Sequence, residues 1–419
     1  MRRRHPLITT LINLKGNPKA CVYTEPLWGI PFYLFTPYVS IYMYHLGIKD
    51  SQIGLIASIG MVFQIVFSLL GGIITDKMGR KKATLVFDII CWSIPCLIWA
   101  ISSNFMFFVI AAIINSLKPV TMISWGCLLV EDSDKNQIVN IYAWVYIAGL
   151  LAAFFAPISG IFIGKFQLVP TVRVLYLISF VMMTAKFIIL NIYATETVQG
   201  KIRMEETKHL SVMKQLSGYV TVVKEILKAP ETMLTLGIML IMSICSLVNN
   251  TFWSIVVTEK FNIPANILGV FPFIRSSVML IFFFTIVPKI KILKFKKPLI
   301  SGFVILIISQ FILILTPDKG YLFIIISIIL EACSLSLINP LLDSMQVIMV
   351  DPKERARIIA ILYVIVIAFT SPFGYIAGNL SAIDRRLPFI MNIALLILGV
   401  ILTYFASTVS KKRKSGINI

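Results

Sequence analysis

The stretch that decides the fold is Gly71–Lys82, which reads GGIITDKMGRKK and joins two long apolar segments. Gly72 is predicted to let two helices approach closely, and Gly79 gives the backbone the freedom that a short reversal needs. Three consecutive bases end the stretch, and basic residues accumulate on the cytoplasmic side of a membrane. The acid among these bases, Asp76, is predicted to have a structural partner.

The composition is that of a membrane protein. Hydrophobic residues make up 58% of the 419 residues and charged residues only 14%, and the mean hydropathy is +0.91. A soluble domain averages about 45–50% apolar and about 25% charged residues. Since a spanning helix needs about 20 apolar residues, we predict an all-α membrane protein with twelve spans, at 25–46, 51–75, 83–102, 105–130, 138–164, 172–195, 232–258, 266–288, 298–316, 320–350, 356–380 and 386–409.

The net charge of +19 does not indicate nucleic acid as a partner. Most lysines and arginines fall in alternate loops, which share one side of the membrane if the spans are as predicted. The positive-inside rule places these loops and both termini in the cytoplasm, with the chain in the plasma or inner membrane. The six cysteines show no metal spacing, and neither a metal site nor a disulfide framework is expected.

The segment 196–231 breaks the apolar pattern and divides the chain into two six-helix parts, 1–195 and 232–419. Apolar residues recur every three or four positions within it, which predicts an amphipathic helix at the membrane surface. The two parts also resemble each other in sequence. Val130–Ile138 aligns with Val350–Ile358, and Ala156–Gly160 of helix 5 aligns with Ser371–Gly374 of helix 11 at nearly the same offset.

The order of glycines and charges in Gly71–Lys82 resembles the loop between helices 2 and 3 of the major facilitator superfamily of secondary transporters. The resemblance implies two six-helix bundles related by a pseudo-two-fold axis, which expose a central cavity to each side in turn. In architecture it covers the whole chain, but the sharp motif covers one loop. Its counterpart, 288–297, keeps the bases and has lost the Asp and Gly.

In that superfamily the loop acts as a conformational latch. Carried over, Asp76 would meet the N-terminal dipole of helix 11, where an anion is favoured. Arg80 would pair with an acid at the cytoplasmic end of helix 4, where Glu131 and Asp132 lie. Gly72 and Gly79 belong to the same latch. The alternative is that these are ordinary interfacial charges that set the topology.

Charges inside spans are better pointers to function, because each costs at least ~2.5–3.5 kcal/mol at the bilayer centre. The resemblance implies that helices 1, 4, 7 and 10 line the cavity, which places Glu25, Lys118, Glu331 and Asp343 there. Glu331 is predicted to be an isolated acid that carries the proton, since burial disfavours the charged form. Asp88 and Lys186 lie on helices 3 and 6, which the resemblance makes peripheral, so a structural ion pair or snorkelling is favoured over a role in transport; Arg275 is also charged within a span.

Other cavity candidates carry alternatives. Glu25 precedes a proline and is either a cavity acid or an interfacial acid at a helix start. Lys118, beside a proline that frees a carbonyl near Asn115, either binds an anionic group or forms a fixed salt bridge with Glu331 or Glu25. Three asparagines would add hydrogen bonds in the cavity or join helices: Asn249, Asn250 and Asn339.

Helix 5 carries a second resemblance. Gly149, Pro157 and Gly160 are similar to the Gly-Pro-x-x-Gly-Gly element of proton-antiporting exporters, although Ala156 and Ile161 replace two of its glycines. Proline and small residues also occur in spanning helices for kinking and close packing. The element favours export over uptake.

The chain shows no enzyme signature, since it has no glycine-rich phosphate-binding loop and its three histidines are scattered. We therefore expect a monomeric transporter in the lipid bilayer that moves a small organic solute, with the proton gradient as energy source and no cofactor. Proton-coupled export is favoured. Uptake of a sugar, metabolite or peptide, translocation of a lipid or lipid precursor, and a transport-inactive sensor are the alternatives.

Overall fold

The computed structural model describes residues 6–134, 137–209, 230–285, 296–348 and 355–414, and it is helical almost throughout, with no strand in these ranges. The first half contains α1 (Pro6–Asn13), α2 (Gly16–Thr24), α3 (Pro26–Phe35), α4 (Val39–His45), α5 (Asp50–Met78), α6 (Arg80–Asp88), α7 (Ile94–Ile101), α8 (Phe105–Asn115), α9 (Lys118–Val130), α10 (Ile138–Ala152), α11 (Ala156–Phe166), α12 (Leu168–Tyr193) and α13 (Val198–Thr207).

The second half contains α14 (Pro230–Glu259), α15 (Val270–Thr285), α16 (Lys296–Ile314), α17 (Tyr321–Ile348), α18 (Arg355–Ile383) and α19 (Leu387–Lys414). Within the described ranges, eleven helical segments are long and apolar enough to cross a membrane. The other predicted span, 25–46, corresponds to α3 and α4, which are separated by a short turn. The predicted helical membrane fold is therefore confirmed.

Prolines explain where the spanning helices break, because proline lacks the N–H that bonds the carbonyl four residues earlier. A 3₁₀ turn, Thr36–Tyr38, separates α3 from α4, and another, Ala153–Phe155, precedes α11 and its Pro157. A π turn, Ile89–Ser93, separates α6 from α7 just before Pro95. The carbonyl that Pro95 frees belongs to Cys91.

Contacts divide the chain into two compact units. The first comprises Met1–Ile48, Ile59–Ser217 and Leu268–Phe273, and the second comprises the remaining ranges, Lys49–Ser58, Gly218–Ile267 and Ile274–Ile419. In the first unit an apolar core joins α2, α9, α10 and α12, around Cys21, Leu128, Ile141 and Leu190. In the second, α14, α16, α17 and α19 pack around Ile241, Phe303, Ile338 and Leu396.

The turn between α5 and α6 is built on Gly79, whose φ of +84° is strained for any other residue. The close approach predicted for Gly72 was wrong: a Cβ there would meet no described atom within 4 Å, whereas one on Gly71 would lie 2.9 Å from Ile123 of α9. Neighbouring residues point about 100° apart around a helix, so only one of the two glycines can face α9.

Several predictions fall outside the described residues. Of the segment 196–231, α13 is described, but the amphipathic helix predicted around Leu210–Leu227 is not. The same holds for nearly all of the second-half loop 288–297 and for the beginning of the aligned repeat at Val350–Ile358.

Candidate functional site

The first cluster of charges surrounds Arg80, which is almost fully buried. Its guanidinium donates from Nη1 to Asp76 Oδ1 (2.9 Å), from Nε to Glu131 Oε2 (3.1 Å) and from Nη2 to Glu131 Oε1 (3.2 Å). Charge-assisted bonds of this two-pronged kind are strong and fix geometry. Arg80 therefore ties the end of α5 and the start of α6 to the end of α9, and Glu131 is the acid at that position that it contacts.

Electrostatics at Glu131 follow from these contacts. Burial alone would raise the pKa of its carboxyl, but the hydrogen bonds from Arg80 and Thr197 and the charge of Arg80 hold the pKa below its usual value. The carboxyl is therefore ionised at neutral pH. Asp132, the other predicted partner of Arg80, instead accepts hydrogen bonds from Val198 N and Asn17 Nδ2, both at 3.3 Å.

The sequence analysis missed the residues that cover this cluster, Glu196, Thr197 and Arg203. The Glu196 carboxylate accepts from the backbone N–H groups of Arg80 (2.9 Å) and Lys81 (3.0 Å), and so it caps the N-terminus of α6, where free N–H groups and the helix dipole favour an anion. Thr197 donates to Glu131 and accepts from Gly200 N (2.9 Å) at the start of α13. Threonine is a preferred N-cap residue, because its side-chain oxygen accepts a hydrogen bond from the N–H group three residues later. The sequence could therefore have predicted this cap.

Arg203 of α13 reaches Asp76 from the other side. Its Nη2 lies 2.8 Å from Asp76 Oδ2, and this hydrogen bond raises the pKa of Arg203 above its usual value. Asp76 is thus held by two guanidinium groups. The contact predicted between Asp76 and the N-terminus of helix 11 involves 349–354, which lie outside the described residues, so that part of the latch stays a prediction.

The second cluster is the Glu25 triad, which we define as Glu25, Lys186 and Asp88. Lys186 Nζ lies 3.8 Å from Glu25 Oε2 and sits over the rings of Phe187 and Trp125, 5.2 and 5.6 Å from their centroids. Asp88 ends α6 and is 5% exposed. Lys186 therefore forms a structural ion pair, one of the predicted alternatives, and its acid among the described residues is Glu25.

Glu25 lies between α2 and α3, in the N-cap position of α3 just before Pro26, and its backbone is helical (φ −57°, ψ −38°). The predicted helix-start position is therefore present, while its place at the membrane interface or in a cavity stays a prediction. Lys118 opens α9 and has no ion pair with Glu25 within 4 Å, so that alternative was wrong. A salt bridge with Glu331, which belongs to the second unit, and a binding role both stay predictions. Asn115 Nδ2 donates 2.7 Å to the Cys91 carbonyl, and it therefore satisfies the carbonyl that Pro95 leaves free.

The third cluster is the Glu331 site, which we define as Glu331, Arg275, Asn249 and Asn392. Arg275 Nη2 lies 2.6 Å from Glu331 Oε2, and Asn249 Nδ2 donates 2.9 Å to Glu331 Oε1. Asn392 Nδ2 donates 3.2 Å to Asn249 Oδ1. The prediction that Glu331 is isolated was wrong, because the way α15 faces α17 cannot be read from either helix alone.

The remaining predicted residues are dispersed. Asn250 is exposed and donates to Ser246 of its own helix (3.1 Å), and Asn339 is exposed on α17. Asp343 lies in α17, but its side chain is outside the described ones. In helix 5, Gly160 is buried, whereas a Cβ on Gly149 would meet nothing within 4 Å in the described part of the chain.

Comparison with known proteins gives one family. The sequence profile of the Major Facilitator Superfamily matches residues 28–342. An uncharacterised transporter of this type, YqjV of Bacillus subtilis, is 29% identical over 143 residues, which are 32% of this chain and 35% of that protein. The quinolone resistance protein NorA of Staphylococcus aureus is 24% identical over 104 residues, 25% of this chain and 26% of NorA. The chain thus aligns with about a third or less of these curated relatives.

Solved structures agree in fold along nearly the whole chain. A nucleoside transporter, NupG, superposes with a TM-score of 0.74 at 13% identity, covering 93% of this chain and all of that one. A POT family transporter in complex with 5-aminolevulinic acid superposes with a TM-score of 0.70 at 15% identity, covering 94% of this chain and 96% of the other. At such identities the likeness concerns the fold alone.

Proposed function

The chain belongs to the Major Facilitator Superfamily, and we propose that this membrane transporter is driven by protons and exports a small organic solute. It would act as a monomer in the bilayer of the cell membrane, with both termini in the cytoplasm and no cofactor besides the proton gradient. The observation that carries proton coupling is the ion pair between Glu331 and Arg275.

That pair is asymmetric in exposure. The Glu331 side chain is 6% exposed and that of Arg275 is 33% exposed. Because a guanidinium facing lipid in the middle of a span costs at least ~2.5–3.5 kcal/mol, the exposed part of Arg275 is best accommodated by water or by a polar solute. Protonation of Glu331 removes the negative charge that holds Arg275. The binding of one proton would thus free N–H donors of the Arg275 guanidinium for hydrogen bonds to a solute.

Two features support export. The helix 5 element with Gly149, Pro157 and Gly160 resembles that of proton-antiporting exporters, and the structure has an irregular turn immediately before Pro157. The similarity to NorA, named for quinolone resistance, points the same way over a quarter of the chain. In an exporter of this kind the proton enters as the solute leaves.

Proton-driven uptake is the second candidate, and the Glu331 site favours it. Once Glu331 is protonated, Arg275 is free to donate to an acceptor group on the solute, which then binds together with the proton. Co-binding makes the two travel in the same direction. Export and uptake therefore predict opposite effects of acid on solute binding.

Reconstituted vesicles with an imposed pH gradient test this proposal, with fluorescent lipophilic cations, nucleosides and short peptides as probes. We expect gradient-driven accumulation of at least one probe, lost in Glu331→Gln while gradient-independent exchange persists. Glu205→Gln removes an exposed acid of α13 that does not contact Arg203 in the described contacts, and it serves as the matched control. Accumulation by Glu331→Gln with normal pH dependence would contradict the role of Glu331, and tighter binding in acid would decide for uptake.

Orientation has its own test. Reporters fused after Lys82, within 196–230 or after Lys414 are expected to read cytoplasmic, and one near Lys319 external, since basic loops stay inside. An external reading for the central segment would overturn the division into two six-helix parts.

A further inference from the structure

The buried charges of the first unit do not balance. In the Glu25 triad two acids face one base, since the charged groups that act on Asp88 are Lys186 and Glu25. The rings of Phe187 and Trp125 stabilise Lys186 as a cation. With both carboxyls ionised, the triad would hold one uncompensated negative charge in a buried setting, which is strongly unfavourable.

Asp88 is the acid left without compensation. Buried oxygens of both acids, Glu25 Oε2 and Asp88 Oδ2, have no hydrogen-bond partner in the described part of the chain. Glu25 Oε2 has the ammonium of Lys186 at 3.8 Å, whereas Asp88 has no base within 4 Å among the described residues. At 5% exposure, water cannot stabilise its charge.

The neighbours of Asp88 suit a neutral carboxyl. Thr121 of α9 is the hydroxyl that acts on Asp88, and its hydrogen is also engaged by the Lys118 carbonyl at 3.0 Å, so it is shared rather than given to the carboxyl alone. Lys118 acts on the Cys91 thiol instead, and Cys21 and Cys91 are weak donors without charge to contribute.

We propose that Asp88 binds a proton, which makes the Glu25 triad a second proton-binding site, separate from Glu331. A narrow cleft between α6 and α12 has Lys81 and Asp88 in its lining. The ammonium of Lys186 disfavours a metal cation at this site, because like charges repel. Lys81 and Asp88 are seven residues apart, or about 10 Å along the helix.

Infrared difference spectroscopy of the full chain in lipid nanodiscs tests the proposal without requiring transport, so its result is independent of the proposed function. Protonated and ionised carboxyls absorb at separate frequencies. Spectra are recorded at several pH values between about pH 5 and about pH 9. At neutral pH we expect a band from a buried carboxylic acid, which persists in Glu331→Gln and disappears in Asp88→Asn. A band that survives Asp88→Asn, or that disappears only in Glu25→Gln, would overturn Asp88 as the proton acceptor.

A second variant tests the charge balance of the Glu25 triad independently, in case Asp88→Asn folds poorly. Lys186→Met leaves two buried acids without a base, so a second carboxylic acid band is expected at neutral pH. Lys82→Met removes an exposed lysine and is the control. If Lys186→Met adds no band, protons do not compensate the triad and the proposal fails.

Discussion

Removing Arg275 is expected to damage the protein far more than removing Glu331, although the two share one ion pair. Their atoms approach to 2.6 Å, but only 6% of the Glu331 side chain is exposed against 33% of Arg275. Arg275→Met leaves a buried carboxylate with a hydrogen bond from Asn249 alone. Glu331→Gln leaves a guanidinium that water still reaches in part.

The magnitudes follow from this asymmetry. Breaking a buried pair by deleting one partner costs about 3–5 kcal/mol, because the other charge stays uncompensated. Arg275→Met should approach that range at alkaline pH. Glu331 can escape by taking up a proton, so the loss should shrink as the pH falls. For Glu331→Gln we expect about 1–2 kcal/mol, close to the cost of one unsatisfied charged donor, with little pH dependence.

Thermal unfolding of the purified protein in detergent, at several pH values, measures both losses. The double variant Glu331→Gln/Arg275→Met carries no charge at the site and is expected to recover most of what Arg275→Met loses. Lys260→Met is the matched control, because it breaks an exposed pair in the same unit, Lys260–Asp384 at 3.0 Å, of the kind worth about 0–1 kcal/mol.

Equal losses from both single variants at every pH, with a double variant no better than their sum, would refute the reasoning. That outcome would mean that the two charges are stabilised separately. Glu331 would then titrate without affecting Arg275, and the proposed link between proton and solute would lose its basis.

Three further predictions concern the cluster around Arg80. Arg80→Ala and Asp76→Asn should each impair transport and change which side cysteine reagents reach, whereas wild-type accessibility would mean that these charges only set topology. Gly79→Ala should cost about 1–3 kcal/mol in thermal unfolding, because φ is +84° and a Cβ would lie 2.6 Å from a carboxylate oxygen; Gly72→Ala, with no described atom in the way, should cost nothing. Despite burial, hydrogen bonds lower the pKa of Glu131, so its stabilisation is present at neutral pH and is lost in acid, as the pH falls below the usual pKa of a glutamate carboxyl; a Glu131→Gln variant that keeps this acid loss would contradict the assignment.

The fold was predictable because its signal is local. Apolar runs of spanning length and the charged turn at Gly71–Lys82 need no knowledge of which helices meet. Partners across helices were less accessible: Arg275 and Glu331 are 56 residues apart, and their pairing depends on how α15 and α17 rotate against each other. The same limit explains why the sequence did not show that Glu25 is the acid paired with Lys186.

The residues that cover Arg80 show a second limit of prediction from sequence. Glu196, Thr197 and Arg203 were predicted to belong to a surface segment, since their pattern is polar and mixed in charge. Their role depends on the free N–H groups at the start of α6, which exist only because Gly79 ends α5 there. Sequence alone locates that helix start and the cap of α13, but it does not bring the two together.

The two buried acids differ in what neutralises them, and that difference has a consequence for coupling. Glu331 has a guanidinium at 2.6 Å, so its site is neutral without a proton. The Glu25 triad has one base for two acids and becomes neutral only with a proton. A proton would therefore leave the Glu331 site with a positive charge, whereas it makes the Glu25 triad neutral. If Asp88 exchanges its proton during the cycle, Glu331→Gln should remove the acid-side response of transport and leave a response on the alkaline side, which Asp88→Asn in turn should remove.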